Sequence, residues 1–126
     1  MSPKAKAEVE RLRKIYGDVR ARPMDAEGDL VTVAAFPCPP GWTPTSARVG
    51  VRVPALYPAQ ALDTFLLGRD MRSPSGQPPR SVMTQVQVDD EPWDQISWHW
   101  NGPWDPTGDN LVTFVRSISR YFGEHP

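Results

Sequence analysis

The segment ISWHWNGPWDP, at positions 96–106, carries the side chains of this chain that are best suited to chemistry. A serine hydroxyl is a weak acid, so it acts as a nucleophile only when a base lies beside it. In an extended strand, Ser97 and His99 project to the same side, roughly 6.5–7 Å apart, and the imidazole can span that gap. Asp94 or Asp105 can then orient the ring, as the third member of a triad does. This spacing indicates a reactive serine, although a histidine between two tryptophans is equally typical of a structural residue.

Four tryptophans crowd the same region. They are Trp93, Trp98, Trp100 and Trp104. Aromatic rings can stack on bases or sugars, but a nucleic-acid platform also needs a basic groove. The chain has 14 basic and 15 acidic residues and a net charge of −1, so it lacks a strong positive field. We therefore predict no nucleic-acid partner, and tryptophans that pack inward.

Length and composition limit the class of protein. A chain of 126 residues is long enough for one hydrophobic core, and we predict a single domain over residues 1–126. The single cysteine, Cys38, excludes an intramolecular disulfide and a cysteine-based zinc site, and no metal or cofactor is predicted. No apolar run approaches the roughly 18 residues that span a bilayer, and the charged N-terminus lacks the apolar core of a signal peptide. These features predict a cytoplasmic protein with no membrane partner.

Periodicity predicts the elements that position the segment. A cap and proline at Ser2-Pro3, followed by apolar residues at helical spacing (Val9, Leu12, Ile15 and Tyr16), predict a helix from about Pro3 to Tyr16. Short β-branched or alternating runs predict strands near residues 19–22, 30–36, 46–53 and 63–67 in a four-stranded antiparallel meander. Residues 69–81 have the composition of a loop, and Asp105-Pro106 predicts the start of a C-terminal helix. An antiparallel sheet with helices on one face is an α+β fold.

Two motifs, together with this order of elements, resemble the ubiquitin-conjugating-enzyme superfamily over nearly the whole chain. The Pro-x-x-Tyr-Pro motif that ends a strand in that family occurs here at positions 54–58, within RVPALYPAQALDTFLL. Ile96-Ser97-Trp98-His99 stands where the family has its catalytic cysteine, and Trp104-Asp105-Pro106 stands where a Trp-Ser-Pro opens the next helix. The chain looks most like the divergent bacterial branch, some members of which have a histidine beside the active position.

The resemblance implies a fold as well as two departures from the family pattern. It implies an N-terminal helix, a four-stranded sheet, an irregular active-site flap and a C-terminal helix anchored by Trp104. The His-Pro-Asn tripeptide that usually precedes the cysteine is absent, and Ser97 occupies the cysteine position. Cys38 cannot replace that cysteine, because it falls on an early connection of the sheet, well before the flap.

The resemblance also implies a function with two forms. In the first, the protein accepts the C-terminus of a ubiquitin-like protein from an activating enzyme, as an oxyester on Ser97, and transfers it to a target amine. His99 is then the candidate base. In the second, the serine marks a catalytically inactive variant that acts as a binding adaptor for the ubiquitin-like protein or the activating enzyme. An unrelated serine hydrolase is disfavoured, because the chain has no G-x-S-x-G elbow.

Two charged groups are candidate partner surfaces. The first helix carries Lys4, Lys6, Arg11, Arg13 and Lys14. This basic face is either a solvated surface or, as the resemblance implies, the place where the activating enzyme docks. The second group is acidic and consists of Asp89, Asp90, Glu91 and Asp94. It either attracts the incoming lysine and lowers its pKa or is a plain acidic turn.

Overall fold

The chain begins and ends with a helix, and the six strands between them in sequence form one antiparallel sheet. The computed structural model describes residues 1–25, 28–88, 90–98 and 104–124. Its elements are α1 (Pro3–Tyr16), β1 (Val19–Asp25), β2 (Gly28–Pro37), β3 (Ser46–Pro54), β4 (Thr64–Gly68), β5 (Val82–Val88), β6 (Glu91–Ser97) and α2 (Leu111–Glu124). The strands lie in the order β1-β2-β3-β4-β6-β5. The predicted α+β class is therefore confirmed. Among the described residues, no helix is long and apolar enough to cross a membrane.

Helix α1 begins and ends where its sequence predicts. The Ser2 side chain accepts a hydrogen bond from the N–H of Ala5 at 3.2 Å, and the proline occupies the first turn. Gly17, with φ of 86°, ends the helix and donates its N–H to the carbonyl of Arg13. Ile15 is an exception to the predicted apolar stripe, because it is 49% exposed.

The sheet has two faces of different character. On strand β3, Val49, Val51 and Val53 point to the helices, in the alternation that the sequence predicts. The large core fills the space between this face and the two helices. The opposite face has a smaller apolar cluster, in which Leu30, Leu66, Val88 and Trp93 are buried. Both faces of the sheet carry apolar side chains, so the face on which a residue lies determines whether it packs against the helices or against the smaller cluster.

The prediction of four strands is wrong, because two further strands, β5 and β6, extend the sheet. Strand β6 pairs with β4 on one side and with β5 on the other. The predicted irregular flap and acidic turn are thus mostly strand, and the turn between β5 and β6 includes Asp90 in the left-handed region, with φ of 64°. The alternating VMTQVQV supplies β-branched residues for this hairpin. Pro92 has no backbone N–H to donate, and it lies beyond the last residue of β6 that pairs with β4, so the missing donor costs no hydrogen bond to that strand.

Helix α2 begins at Leu111, five residues later than Pro106, where it was predicted to begin. Two candidate caps occur in this stretch, and the structure uses Asn110. The Asn110 side chain accepts from the N–H of Thr113, and the Thr113 hydroxyl accepts from the N–H of Asn110, both at 3.0 Å. Asp105 instead closes a turn over residues 105–109, where its own side chain accepts from the N–H of Thr107.

A buried carboxylate joins α1 to the start of α2. Glu8 is only 4% exposed, and Lys4 Nζ lies 2.9 Å from its Oε2. The N–H of Leu111 lies 3.0 Å from Glu8 Oε1 and 2.7 Å from the Tyr57 hydroxyl oxygen, and that hydroxyl donates to Glu8 Oε1. Burial, reinforced by the Glu8 hydrogen bond and charge, raises the pKa of Tyr57, so the phenol remains a donor. A carboxylate at a helix N-terminus is also favoured by the helix dipole.

We expect the Glu8→Ala variant to lower the free energy of unfolding by about 2–4 kcal/mol, because two buried donors and a lysine lose their acceptor. Urea unfolding of the variant and the native protein measures this. Glu10→Ala is the matched control, since it removes an exposed carboxylate from the same helix and should change stability by less than about 1 kcal/mol. Equal effects of the two substitutions would contradict the structural role of Glu8.

Candidate functional site

Ser97 is the last residue of β6 and is fixed by pairing on both sides. Its N–H donates to the carbonyl of Ser81 at 2.9 Å, and on the other side it stands opposite Thr64 of β4. Its side chain is partly exposed. Among the residues that the structure describes, no side chain is hydrogen-bonded to its hydroxyl. Ser97 is therefore a positioned, accessible hydroxyl at the end of a regular strand.

Alternation along β6 places Ser97 on the face of the sheet that points away from the helices. Ile96 is fully buried in the main core. Trp98 is also buried there, with its indole N–H 3.1 Å from the Ser117 hydroxyl oxygen and its ring edge-on to Tyr121. Ser97 lies between these two inward residues, so its side chain projects to the other face. The same geometry groups Ser97 with Trp93 and Gln95.

The structure does not bring Asp94 to Ser97. Three residues separate them on a strand, so their side chains are on opposite faces. Asp94 lies on the helix side, 8% exposed, with Oδ1 4.0 Å from Arg69 Nε. Burial raises the pKa of Tyr121, and the Asp94 charge raises it further. This carboxylate is therefore a neighbour of α2.

Asp105 is held by the turn that precedes α2. Its Oδ1 accepts from the Thr107 hydroxyl at 2.7 Å and from the Thr107 N–H at 3.0 Å. These hydrogen bonds, the hydroxyl first, lower the pKa of this exposed carboxyl. His99, the candidate base, lies outside the described residues, as do Trp100 and Asp89. The structure thus describes Ser97 and Asp105 but not the ring that would join them.

Two polar side chains beside Ser97 were missed by the sequence analysis. Thr64 stands directly across from Ser97, and Gln95 precedes it by two residues on the same face. The Gln95 side-chain N–H donates to the Thr64 hydroxyl oxygen at 3.3 Å. The alternation of EPWDQIS could have placed Gln95 beside Ser97. The pairing with Thr64 depends on strand register, which the sequence does not reveal.

The acidic group does not flank the site in the described part of the chain. Asp90 and Glu91 are at the start of β6, and Ser97 is at its end, so roughly 20 Å of strand separates them. Glu91 also forms an ion pair with Arg48. This distance and the inward position of Asp94 favour the interpretation of the acidic group as a plain turn that does not attract the incoming lysine.

The basic face of α1 is exposed at all five predicted positions. Two of these residues also serve the fold: Lys4 contacts Glu8, and Arg13 donates to the carbonyl of Val19 at 2.9 Å. Within the described ranges, Lys6, Arg11 and Lys14 form no ion pair. These three residues are therefore the part of the face that is available to a partner.

The two family motifs meet in space. The Trp104 indole N–H donates to the carbonyl of Pro58 at 2.8 Å, and the Trp104 ring centroid lies 6.3 Å from that of Tyr57. Tyr57 in turn contacts Glu8 and the first turn of α2. Trp104 therefore anchors the segment before α2 to the β3–β4 connection.

An antiparallel sheet with an N-terminal and a C-terminal helix on one face, and with these motifs in contact, is consistent with a ubiquitin-conjugating-enzyme-like fold. The model of prokaryotic E2 family E matches residues 21–124, so the chain belongs to that family. Neither the curated proteins nor the solved structures include a significant match. Members of E2 families act with activating enzymes and ubiquitin-like proteins. Among the described residues, no group of three histidine, cysteine, aspartate or glutamate side chains is arranged to hold a metal ion.

Cys38 provides a prediction about reactivity. It follows β2, its Sγ lies 3.8 Å from the carbonyl oxygen of Phe36, and burial raises the pKa of its thiol to about 11. Because only the thiolate reacts, its alkylation by iodoacetamide at pH 7 should be on the order of 100-fold slower than that of an ordinary thiol, and should accelerate up to about pH 11. Mass spectrometry measures the rate. Alkylation as fast as that of free cysteine would show that the thiol is not shielded.

Proposed function

We propose that this protein accepts the C-terminus of a ubiquitin-like protein from an activating enzyme on Ser97 and transfers it to an amine. The observation that carries the proposal is the position of Ser97. It is a partly exposed residue at the position where the resemblance places the family's catalytic cysteine, and it is held by its pairing with Thr64 of β4 and by the hydrogen bond from its N–H to the Ser81 carbonyl. Family membership supplies the class of partners.

The proposed chemistry consists of two acyl transfers. The Ser97 oxygen attacks the thioester carbonyl carbon held by the activating enzyme; the carbon–oxygen bond forms, the carbon–sulfur bond breaks, and the hydroxyl proton passes to a base while the thiolate leaves. In the second step an amine attacks the ester carbonyl carbon. The carbon–nitrogen bond forms, the carbon–oxygen bond breaks, and Ser97 regains a proton. A serine needs this base because its hydroxyl is scarcely ionised near neutral pH.

His99 is the proposed base, and Asp105 is the remaining candidate to orient it. The proposal for Asp94 loses support, since that side chain points to the helices. The Asp105 carboxylate is exposed and ionised, and it lies on the segment that leads from the site into α2. An exposed carboxylate can pair with an imidazolium that forms when His99 takes the serine proton.

Docking of the activating enzyme is proposed for the basic face of α1. Lys6, Arg11 and Lys14 are exposed there and form no ion pair within the described part of the chain. A partner with an acidic surface would be attracted to them over a Debye length of about 10 Å. A cytoplasmic location remains the prediction from composition.

A second candidate is a catalytically inactive adaptor of the same pathway. It is favoured by the replacement of the irregular flap with the regular β5–β6 hairpin, and by the absence of the His-Pro-Asn tripeptide. An adaptor would keep the docking face of α1 and would not need the Ser97 hydroxyl.

Incubation with the cognate activating enzyme, ATP and ubiquitin-like protein tests the proposal. We expect an adduct that resists thiol reductant, is cleaved by hydroxylamine, and is lost in Ser97→Ala. Ser119→Ala is the matched control, because it removes an exposed serine hydroxyl from α2. In Ser97→Cys the adduct should become a thioester that the reductant cleaves. Intact-mass spectrometry measures each species.

Normal conjugation by Ser97→Ala in the reconstituted pathway would refute the nucleophile and favour the adaptor. We expect His99→Ala to slow adduct formation about 100-fold or more, within the range for loss of a general base. An unchanged rate for His99→Ala, with the Ser97 adduct intact, would remove His99 as the base.

A further inference from the structure

The two edges of the sheet are built differently. Edge strand β1 carries Arg20, Arg22 and Pro23, and its register is irregular near its end. Charges, prolines and bulges are the devices that keep an edge strand from pairing with another chain. Edge strand β5, VMTQVQV, has neither a charge nor a proline, and its one irregularity precedes Thr84. In the part of the chain that the structure describes, no strand pairs with the second side of β5.

One hydrogen bond fixes the direction of the backbone groups along this edge. The Ser97 N–H donates to the carbonyl of Ser81, so Ser97 directs its backbone groups toward β5. Every second residue of an antiparallel strand does the same, and Trp93 is one of these residues. Its partner on β5 is Val86. Val86 therefore directs its own N–H and carbonyl toward β6.

The residues on either side of Val86 direct their backbone groups to the open edge. These residues are Gln85 and Gln87, and both are exposed. The Gln85 carbonyl oxygen accepts a hydrogen bond from the Thr84 hydroxyl at 3.4 Å, which leaves one of its two lone pairs for another strand. Each glutamine thus offers a backbone donor and a backbone acceptor at the edge.

This pattern is self-complementary about Val86. When two copies of β5 pair antiparallel with Val86 opposite itself, Gln85 of each copy stands opposite Gln87 of the other. Four backbone hydrogen bonds then form between the copies. Thr84 stands opposite Val88, so the pairs on the outer face of the sheet are all β-branched, which favours cross-strand packing. Val86 and Val88 belong to the smaller apolar cluster, and the pairing joins the two clusters into one.

The charges at the ends of β5 favour a second copy as the pairing strand. Arg80 precedes the strand and Asp90 follows it, and both are exposed. Among the described residues, neither forms an ion pair. In the antiparallel register about Val86, Asp90 of one copy lies opposite position 82 of the other, roughly 7 Å along the strand from Arg80. An arginine side chain spans that distance, and the two-fold symmetry repeats the contact, so opposite charges meet at both ends.

We propose that two copies of this chain associate through β5 and join their six-stranded sheets into one of twelve strands. The interface uses the same residues on both copies, so it closes after two. The edges that remain are the two β1 strands, which their arginines and prolines protect. The two-fold axis is perpendicular to the sheet, so both Ser97 side chains lie on one face, roughly 30 Å apart. The inference does not depend on the chemistry of Ser97.

Sedimentation velocity over a range of protein concentrations tests the association. We expect a monomer–dimer equilibrium with no larger species. Gln85→Lys places a charge on the open edge and should weaken the dimer at least tenfold. Gln77→Lys makes the same change at an exposed loop position and should leave the dimer unchanged. Circular dichroism of each variant excludes unfolding as the cause.

Charge reversal tests the orientation of the two copies. Arg80→Glu brings like charges together at both ends of the interface and should weaken the dimer severalfold, less so at high salt. Arg11→Glu, which reverses an exposed arginine on α1, is the matched control and should have no effect.

Disulfide trapping tests the register. In a Cys38→Ser background, Val86→Cys should form an intermolecular disulfide under mild oxidation, because opposed residues of a non-hydrogen-bonded pair have Cα atoms about 4.5 Å apart. Thr84→Cys is the control on the same strand and face. The two copies of residue 84 are roughly 13 Å apart in this register, so they should not cross-link.

Four outcomes would overturn the inference: a monomer at every concentration, a dimer that Gln85→Lys leaves unchanged, equal cross-linking of the two cysteine variants, or assembly beyond a dimer. If the protein is monomeric and Gln85→Lys abolishes its binding of the ubiquitin-like protein, the β5 edge serves that partner and not a second copy.

Discussion

The Glu8 carboxylate is the interaction on which the arrangement of this fold depends. It is buried between α1, the Tyr57 loop and the first N–H group of α2, and Lys4 balances its charge. A buried carboxylate is tolerated only when its oxygens are satisfied, so these three segments can move apart only at a cost. Trp104 extends the same junction through its hydrogen bond to Pro58. The positions of the C-terminal helix and of the segment leading to it are therefore set from the first helix.

The elements that were predicted correctly are those determined by residues close together in sequence. The cap at Ser2 and the glycine after Tyr16 mark α1, and the alternating valines of β3 identify both its strand state and its inward face. The start of α2 was misplaced because Asp105-Pro106 and Asn110 are both plausible caps. The choice between them depends on the contact of Leu111 with Glu8, 103 residues away in sequence. Such a contact has no local signature.

The candidate site was also predictable only as far as its residues are identified by the sequence itself. Motif order made Ser97 the candidate residue, whereas the contact between Trp104 and the Tyr57-Pro58 motif is a finding of the structure. The extended conformation expected for Ser97 and His99 would, if continued back to Asp94, already have placed the Asp94 side chain on the opposite face, because three residues separate it from Ser97. Strands β5 and β6 depart from the expected four-stranded sheet, and Thr64 and Gln95 become neighbours of Ser97 only through the pairing of β6 with β4.

The double pairing of Ser97 has a consequence for the timing of its chemistry. Ser97 is held on one side by its pairing with Thr64 of β4 and on the other by the hydrogen bond from its N–H to the Ser81 carbonyl, so its backbone can shift only by breaking these contacts. The conformational entropy that is lost when the hydroxyl is positioned is thus lost during folding of the protein and not during each encounter with a partner. In the proposed transfer, only the arriving chain then remains to be ordered.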